Sequence, residues 1–327
     1  MATSQDFVNW VCSDEIDNGF LKYVLMAERE ALLRFAHGTT HQTIYFPEAK
    51  AFYVALPPIE EQRAIASVLG AFDDKIELNR RMSETLEALA RAIFTSWFVD
   101  FDPVRAKAEG RQPVGMDAAT AALFLDSFTD SPLGPIPSGW HVAELREIAN
   151  NVRDQVDPRN FHPPRPYIGL DDMPRRSIAL ASWGMSADAT SAKSAFRRAD
   201  VLFGKLRPYF HKVGVAPVDG ICSTDVLVLR AVHRDFEMPL IFAASSDAFV
   251  QLADLTSAGT KMPRASWRDI GRYQVALPPP EVIKAFDGVI RPMVDRLISG
   301  IHEARALAAT RDALLPKLVS GAVRVLV

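Results

Sequence analysis

Cysteine is scarce in this chain of 327 residues: Cys12 and Cys222 stand far apart, with no C-x-x-C pair. Neither a disulfide framework nor a zinc site of the usual spacing can be built from them. The sequence also lacks any stretch near the ~18 uninterrupted apolar residues that a membrane span needs, and residues 1–6 are neither basic nor apolar. These absences predict a reduced, soluble, cytoplasmic protein with no membrane anchor. No charge of one sign dominates, since 37 Lys and Arg face 40 Asp and Glu for a net charge of −3. Hydrophobic content of 48% and charged content of 24% are globular values that exclude wholesale disorder, and the length suits about two domains.

What is present is a repeat. Val54-Ala55-Leu56-Pro57-Pro58 recurs 221 positions later as Val275-Ala276-Leu277-Pro278-Pro279. Upstream, Ser4-Gln5-Asp6-Phe7-Val8 answers Ser223-Thr224-Asp225-Val226-Leu227, and Ala36-His37-Gly38-Thr39-Thr40 answers Ser257-Ala258-Gly259-Thr260-Lys261. The offsets of 219 and 221 differ by one small loop change. Two long copies are a duplicated module rather than a solenoid, whose units are shorter and more numerous. Each copy is expected to be a mixed domain followed by a helix, and the first begins part-way through.

Helical periodicity over residues 16–35 predicts an amphipathic helix, and residues 52–56 form a strand-like run before the double proline. From Ile59 to Val99 apolar side chains recur at Ile65, Leu69, Phe72, Ile76, Leu86, Ala90, Ile93 and Trp97, the seam of a packed helix. About 40 residues at 1.5 Å each make a rod of about 60 Å, which wants a partner. Phe101-Asp102-Pro103 stops it. A linker follows with a short helix around 118–128, then β-like runs at 167–170, 200–203, 213–216 and 226–229 and a helical stretch at 239–255. A second long helix starts at Pro280, with Pro292 expected to bend it and Pro316 to mark its last turn. The fold class is therefore α+β, mixed domains joined by two long helices whose matching seams suit antiparallel pairing. Charge is uneven: residues 141–278 carry 18 Lys and Arg against 15 acids, and 58–130 carry 8 against 13.

Residues 56–66 (LPPIEEQRAIA), Gly134-Pro135-Ile136-Pro137-Ser138-Gly139-Trp140, Tyr167-Ile168-Gly169-Leu170, residues 200–209 (DVLFGKLRPY) and Ser223-Thr224-Asp225 follow one another along the chain. Together they resemble the specificity (S) subunit of type I restriction-modification systems. The resemblance implies target-recognition domains of mixed sheet and helices, joined by two long antiparallel coiled-coil helices, each domain reading one half of a split site in double-stranded DNA. It implies a non-catalytic subunit that directs methyltransferase (M) subunits and, indirectly, restriction (R) subunits. S-adenosylmethionine is expected on the M subunits, and no cofactor or metal on this chain. The expected division is 1–57, a remnant of the first recognition domain; 58–112, the first spacer helix; 113–130, a linker; 131–278, a complete recognition domain; and 279–327, the second spacer helix. No G-x-I-P-x-G-W entry precedes the first copy, so the form expected is truncated or split, with a second copy or a complementary S fragment as a partner. The alternative is an S-like scaffold that binds M subunits without reading DNA.

Sequence-specific reading needs donors and acceptors on an exposed surface, with cations to meet phosphates. Lys205, Arg207, Tyr209, His211 and Lys212 alternate along one strand and turn, and Lys205, Arg207, Tyr209 and Lys212 are the candidates there; the plainer reading is a solvated strand edge. Gly259, Thr260 and Lys261, with Arg264 close by, and Thr39 and Thr40 in the first copy, lie in breaks where a backbone can approach a phosphate; the plainer reading is a turn. Ser223-Thr224-Asp225 is better explained as local capping. Phe94, Trp97 and Phe98 are candidates for anchoring an M subunit, against a plainer role in packing the two helices. His37 and His41 have no third or fourth ligand at a metal-site spacing, and Asp100, Asp102, Asp171 and Asp172 lack the E-x-K companion of a nuclease. No phosphate-binding glycine loop or base-methylation motif occurs, so no catalysis by the chain itself is expected.

Overall fold

A computed structural model describes residues 8–36, 43–188 and 191–325. The helices in chain order are α1 (Asn18–Ala27), α2 (Arg29–Arg34), α3 (Phe46–Lys50), α4 (Ile59–Phe98), α5 (Asp102–Ala108), α6 (Ala118–Ala122), α7 (Leu145–Ile148), α8 (Glu237–Ala244), α9 (Asp247–Leu255), α10 (Trp267–Ile270) and α11 (Pro280–Val319). The strands are β1 (Phe128–Thr129), β2 (Ile136–Pro137), β3 (His141–Glu144), β4 (Ala149–Val152), β5 (Gln155–Val156), β6 (Pro166–Ile168), β7 (Gly184–Met185), β8 (Lys193–Phe196), β9 (Val201–Gly204), β10 (Val213–Val215), β11 (Gly220–Cys222), β12 (Val226–Ala231) and β13 (Gln274–Leu277). The chain divides into two compact units, Met1–Asn79 with Glu303–Val327, and Arg80–His302. Both forty-residue helices, α4 and α11, contribute a segment to each unit. Among the described residues no helix is long and apolar enough to cross a membrane, and no three His, Cys, Asp or Glu residues are grouped to hold a metal ion.

The first unit is a small helical core. Phe20, Tyr23 and Val24 of α1 pack with Ile65 and Leu69 of α4 and with Leu315 and Leu318 of α11, at spacings of three and four that keep each set on one helix face. Asp17 caps α1 by accepting from the Phe20 N–H, and its own N–H donates to Oε1 of the buried Gln62. The Gln62 Nε2 donates to the carbonyls of Glu15 and Pro57, which satisfies the amide and ties the α1 entry to α4. Asp73 accepts from Lys22 Nζ at 2.5 Å, Tyr23 Oη at 2.7 Å and Arg311 at 2.5 Å. Burial pushes its carboxyl up, but the hydrogen bonds from Lys22, Arg311 and Tyr23 outweigh it and hold the group at about 2. Lys75 and Glu303 meet at 3.3 Å. Rising positions on α4 meet falling positions on α11, which is antiparallel pairing.

The second unit holds two stacked sheets. One has the order β10-β9-β12-β4 and is antiparallel throughout; the other, β5-β8-β11-β6-β7, has one parallel pair, β11 with β6. The period of two sorts the central strands between two cores. In β9, Val201 and Phe203 enter the larger core while Leu202 enters the smaller, and in β12 Leu229 faces the first while Val226 and Val228 face the second. Strands buried on both faces are apolar throughout, as β9 is. The larger core takes in α8, whose residues Met238–Ala244 are all buried, and the facing seams of α4 and α11: Phe94 lies 6.1 Å from Phe286 and 6.0 Å from Phe242, and Trp97 5.8 Å from Phe286. The small sheet of β3 and β13 pairs Val275 with Ala143 and Ala276 with Val142.

The repeat is visible in three dimensions. The order α1, α2, α3, double proline, α4 matches α8, α9, α10, double proline, α11. Ile65 and Leu69 correspond at the offset of 221 to Phe286 and Ile290, and Phe94 and Trp97 to Leu315 and Leu318. In each unit the start of one long helix packs with the end of the other.

Several boundaries differ from the sequence expectation. The stretch 239–255 is two helices, because Ser246 caps a new one by accepting from Phe249 N–H. The segment 58–112 is α4 and then α5, separated by Phe101 in a left-handed conformation with φ 56°. The linker 113–130 contains β1, which pairs with β2, so the mixed domain begins before residue 131. Helix α11, by contrast, continues through Pro292 and ends at Val319 with Pro316 in its last turn, as expected. Residues 53–56 carry no strand assignment, whereas their counterparts form β13.

Candidate nucleic-acid interface

Where β9 ends, the chain stays stitched to two other segments. Lys205 N–H donates to the Asp225 carbonyl at 2.9 Å, Ala265 N–H to the Lys205 carbonyl at 2.9 Å, and Arg207 N–H to the Pro263 carbonyl at 2.7 Å. Ala258 and Arg264 exchange backbone bonds of 3.1 and 2.9 Å, closing a tight loop that presents Gly259, Thr260, Lys261 and Met262. Gly259 has φ 109°, and a Cβ there would sit 3.1 Å from the Met262 carbonyl oxygen, so the loop needs glycine at this position. The two candidate groups, some fifty residues apart in sequence, therefore form one edge. Arg207 Nη2 reaches the Lys261 carbonyl at 3.5 Å.

The turn beyond that edge is unusual. Arg207 (φ 51°) and His211 (φ 52°) are both left-handed and flank a single 3-10 turn at Pro208–Phe210. Left-handed backbone at side chains other than glycine is costly and collects at functional sites. The turn leaves Tyr209 exposed, stacked edge to face on Phe210 at 4.7 Å. His211 is buried, its Nε2 against the Ser245 carbonyl at 3.0 Å, and burial lowers its proton affinity. Lys212 turns inward, donating to the Leu170 carbonyl at 2.6 Å.

Charge on the edge is divided. Arg264 Nε donates to Asp225 at 2.9 Å, which raises the Arg264 pKa and fixes its side chain across the loop base. Asp225 thus has an ion-pairing role beyond the capping expected of Ser223-Thr224-Asp225, where the Ser223 hydroxyl does accept from Asp225 N–H. Lys205 and Lys261 have no ion-pair partner among the described residues. Sequence reasoning missed Arg175 and Arg176: the Arg175 guanidinium lies 4.3 Å from the Phe210 ring centre, and Arg176 N–H donates to the His211 carbonyl while its side chain pairs with Asp247 at 2.7 Å. Their one signal is two adjacent arginines after Pro174, which says nothing of the distant turn they reach. Thr39 and Thr40, like His37 and His41, lie outside the described residues.

The aromatic candidates sit elsewhere. Phe94 and Trp97 are buried in the larger core, and Phe98 lies 4.7 Å from Phe286. Phe94, Phe98 and Phe101 also line a groove of about 430 Å³ with Phe242, Tyr273 and Leu277.

A model of the type I restriction modification DNA specificity domain matches residues 1–88. The MjaIX specificity subunit of Methanocaldococcus jannaschii is 25% identical over 99% of this chain and 73% of its own length. The HindI specificity subunit of Haemophilus influenzae is 23% identical over 86% of this chain and 71% of its own. Over nearly its whole length the chain is thus similar to type I restriction enzyme specificity subunits. The crystal structure of the S subunit from M. genitalium shares the fold, with a TM-score of 0.52 over 93% of this chain and 73% of that one at 18% identity. An edge that brings the half-buried Lys205 and the exposed Lys261 to a glycine-bearing loop beside an exposed tyrosine has groups suited to phosphate contacts and donors suited to base edges.

Proposed function

We propose that the second unit is a target-recognition module that reads double-stranded DNA with the edge formed by Lys205, Arg207, Tyr209, Gly259, Thr260 and Lys261, Arg264 holding the loop in shape. The observation that carries this reading is the convergence of the two basic segments onto one exposed edge through backbone hydrogen bonds. In this reading the chain is a non-catalytic, cytoplasmic subunit of a type I restriction-modification complex. It directs methyltransferase subunits, which supply S-adenosylmethionine chemistry, and through them restriction subunits. Discrimination arises because a side chain placed against the right base edge contributes about 1–3 kcal/mol that a wrong base forfeits.

The test is selection from random duplexes by the chain reconstituted with its methyltransferase subunits at moderate salt. Enrichment of a defined sequence, lost with Arg207→Ala and Tyr209→Ala while subunit assembly persists, is the expected result. Equal recovery of every sequence would leave a scaffold that assembles without reading.

A further inference from the structure

The proposed recognition edge has a third neighbour, the loop that follows β6. This loop is pinned on both sides, by Met173 in the smaller core and Ile178 in the larger. It is also tied to the Pro208–Phe210 turn at two points. Arg176 N–H donates to the His211 carbonyl at 2.9 Å, and Lys212 Nζ donates to the Leu170 carbonyl at 2.6 Å. Arg176 is itself left-handed, with φ 56°, so with Arg207 and His211 three residues of this kind gather around one contact. Such backbone is costly at side chains other than glycine and persists only where the surroundings impose it.

The two adjacent arginines of the loop are used differently. Arg176 pairs with Asp247 at 2.7 Å. Arg175 is exposed, and among the described residues its side chain has neither an ion pair nor a hydrogen bond; its guanidinium lies over the Phe210 ring, 4.3 Å from the ring centre. Stacking engages the flat face of the guanidinium and holds it without a counter-ion, which leaves the N–H groups around its rim free. A fork of donors held in this way matches two oxygens of one phosphate group. The acids of the loop do not neutralise it: Asp172 accepts from the Gly169 N–H at 2.8 Å, and among the described residues neither Asp171 nor Asp172 pairs with Arg175. We propose that Arg175 binds a phosphate of the DNA backbone and that residues 170–176 form a third segment of the interface, with Phe210 holding the guanidinium beside Tyr209. This role rests on the reading of the unit as a DNA reader and deepens it, since a phosphate contact fixes the register in which the neighbouring side chains meet base edges.

Salt dependence gives the test. The full chain with Arg175→Gln, reconstituted with its methyltransferase subunits, is titrated across a range of salt with a mixed-sequence duplex and with the duplex that selection enriches. Affinity for both should fall about fivefold and the salt slope of log K by about 1, because one phosphate contact fewer releases one counter-ion fewer. Arg175→Lys keeps the charge and should restore the slope. Arg165 is the control: it too is exposed and lies 4.3 Å from the centre of an aromatic ring, that of Phe161, but at the opposite end of β6, and Arg165→Gln should leave the slope as it is. A wild-type chain that selects a sequence while Arg175→Gln keeps the full slope overturns this role and leaves the recognition reading standing. Equal falls for Arg175→Gln and Arg165→Gln overturn it too, since a diffuse field then suffices. A wild-type chain that binds every duplex alike, yet loses slope with Arg175→Gln, overturns the recognition reading and leaves the phosphate contact.

Discussion

Asp73 concentrates much of the first unit's polar bonding on one side chain, accepting hydrogen bonds from Lys22 and Tyr23 of α1 and from Arg311 of α11 at once. Its carboxyl titrates at about 2 against an ordinary 3.8. A depressed folded pKa stabilises above the unfolded value and is lost as pH falls toward the folded one. The link is worth about 2 kcal/mol near neutrality. Asp73→Asn is therefore expected to cost about that much in urea unfolding at pH 7, and the difference from wild type should shrink between pH 4 and pH 2. On the proposed recognition edge the two kinds of cation separate. Lys261→Ala should weaken DNA binding for all sequences and lower the salt slope of log K by about 1. Arg264→Ala should disturb the Gly259–Met262 loop as well, and so alter sequence preference, as the same selection experiment would report.

At the scale of elements, Glu87 shows how α4 is fixed within the second unit. One buried carboxylate accepts from Ile178 N–H at 3.0 Å, from the Ser177 hydroxyl at 2.8 Å and from Arg91 at 2.9 Å, and Arg91 reaches on to the Ser245 carbonyl. Glu87→Ala leaves the Ile178 N–H buried without its partner, so a loss of about 2–3 kcal/mol is expected in denaturant unfolding. Elements of this length were legible in sequence: the double prolines mark where α4 and α11 begin, and their three-and-four spacing persists for forty residues. The fate of residues 52–56 was not, because Val54-Ala55-Leu56 and Val275-Ala276-Leu277 are the same tripeptide, and among the described residues only the second has a strand beside it. Pairing is a property of the neighbour. The same limit hid Arg175, whose contact with Phe210 depends on folding of the intervening chain.

At the scale of the molecule, the sequence offered two separate groups of candidates, and only the fold joins them: Lys205 and Arg207 come together with the Lys261 loop, while Lys212 turns to the Leu170 carbonyl. Phe94 and Trp97 illustrate a second point, since aromatic residues on a rod suit a partner subunit or a core equally well until the facing surface is known. Here Phe286 and Phe242 are that surface. Phe286→Ala should cost about 3–5 kcal/mol by emptying the centre of this cluster, measured as a fall in the urea midpoint.

Leu315 and Leu318, from the far end of the chain, complete the core begun by Phe20 and Ile65. During synthesis the amino-terminal helix therefore emerges from the ribosome long before its last packing partners exist. Its maturation waits on the closing residues, so a nascent chain stalled before Glu303 would hold an unfinished front portion, open to proteases and chaperones.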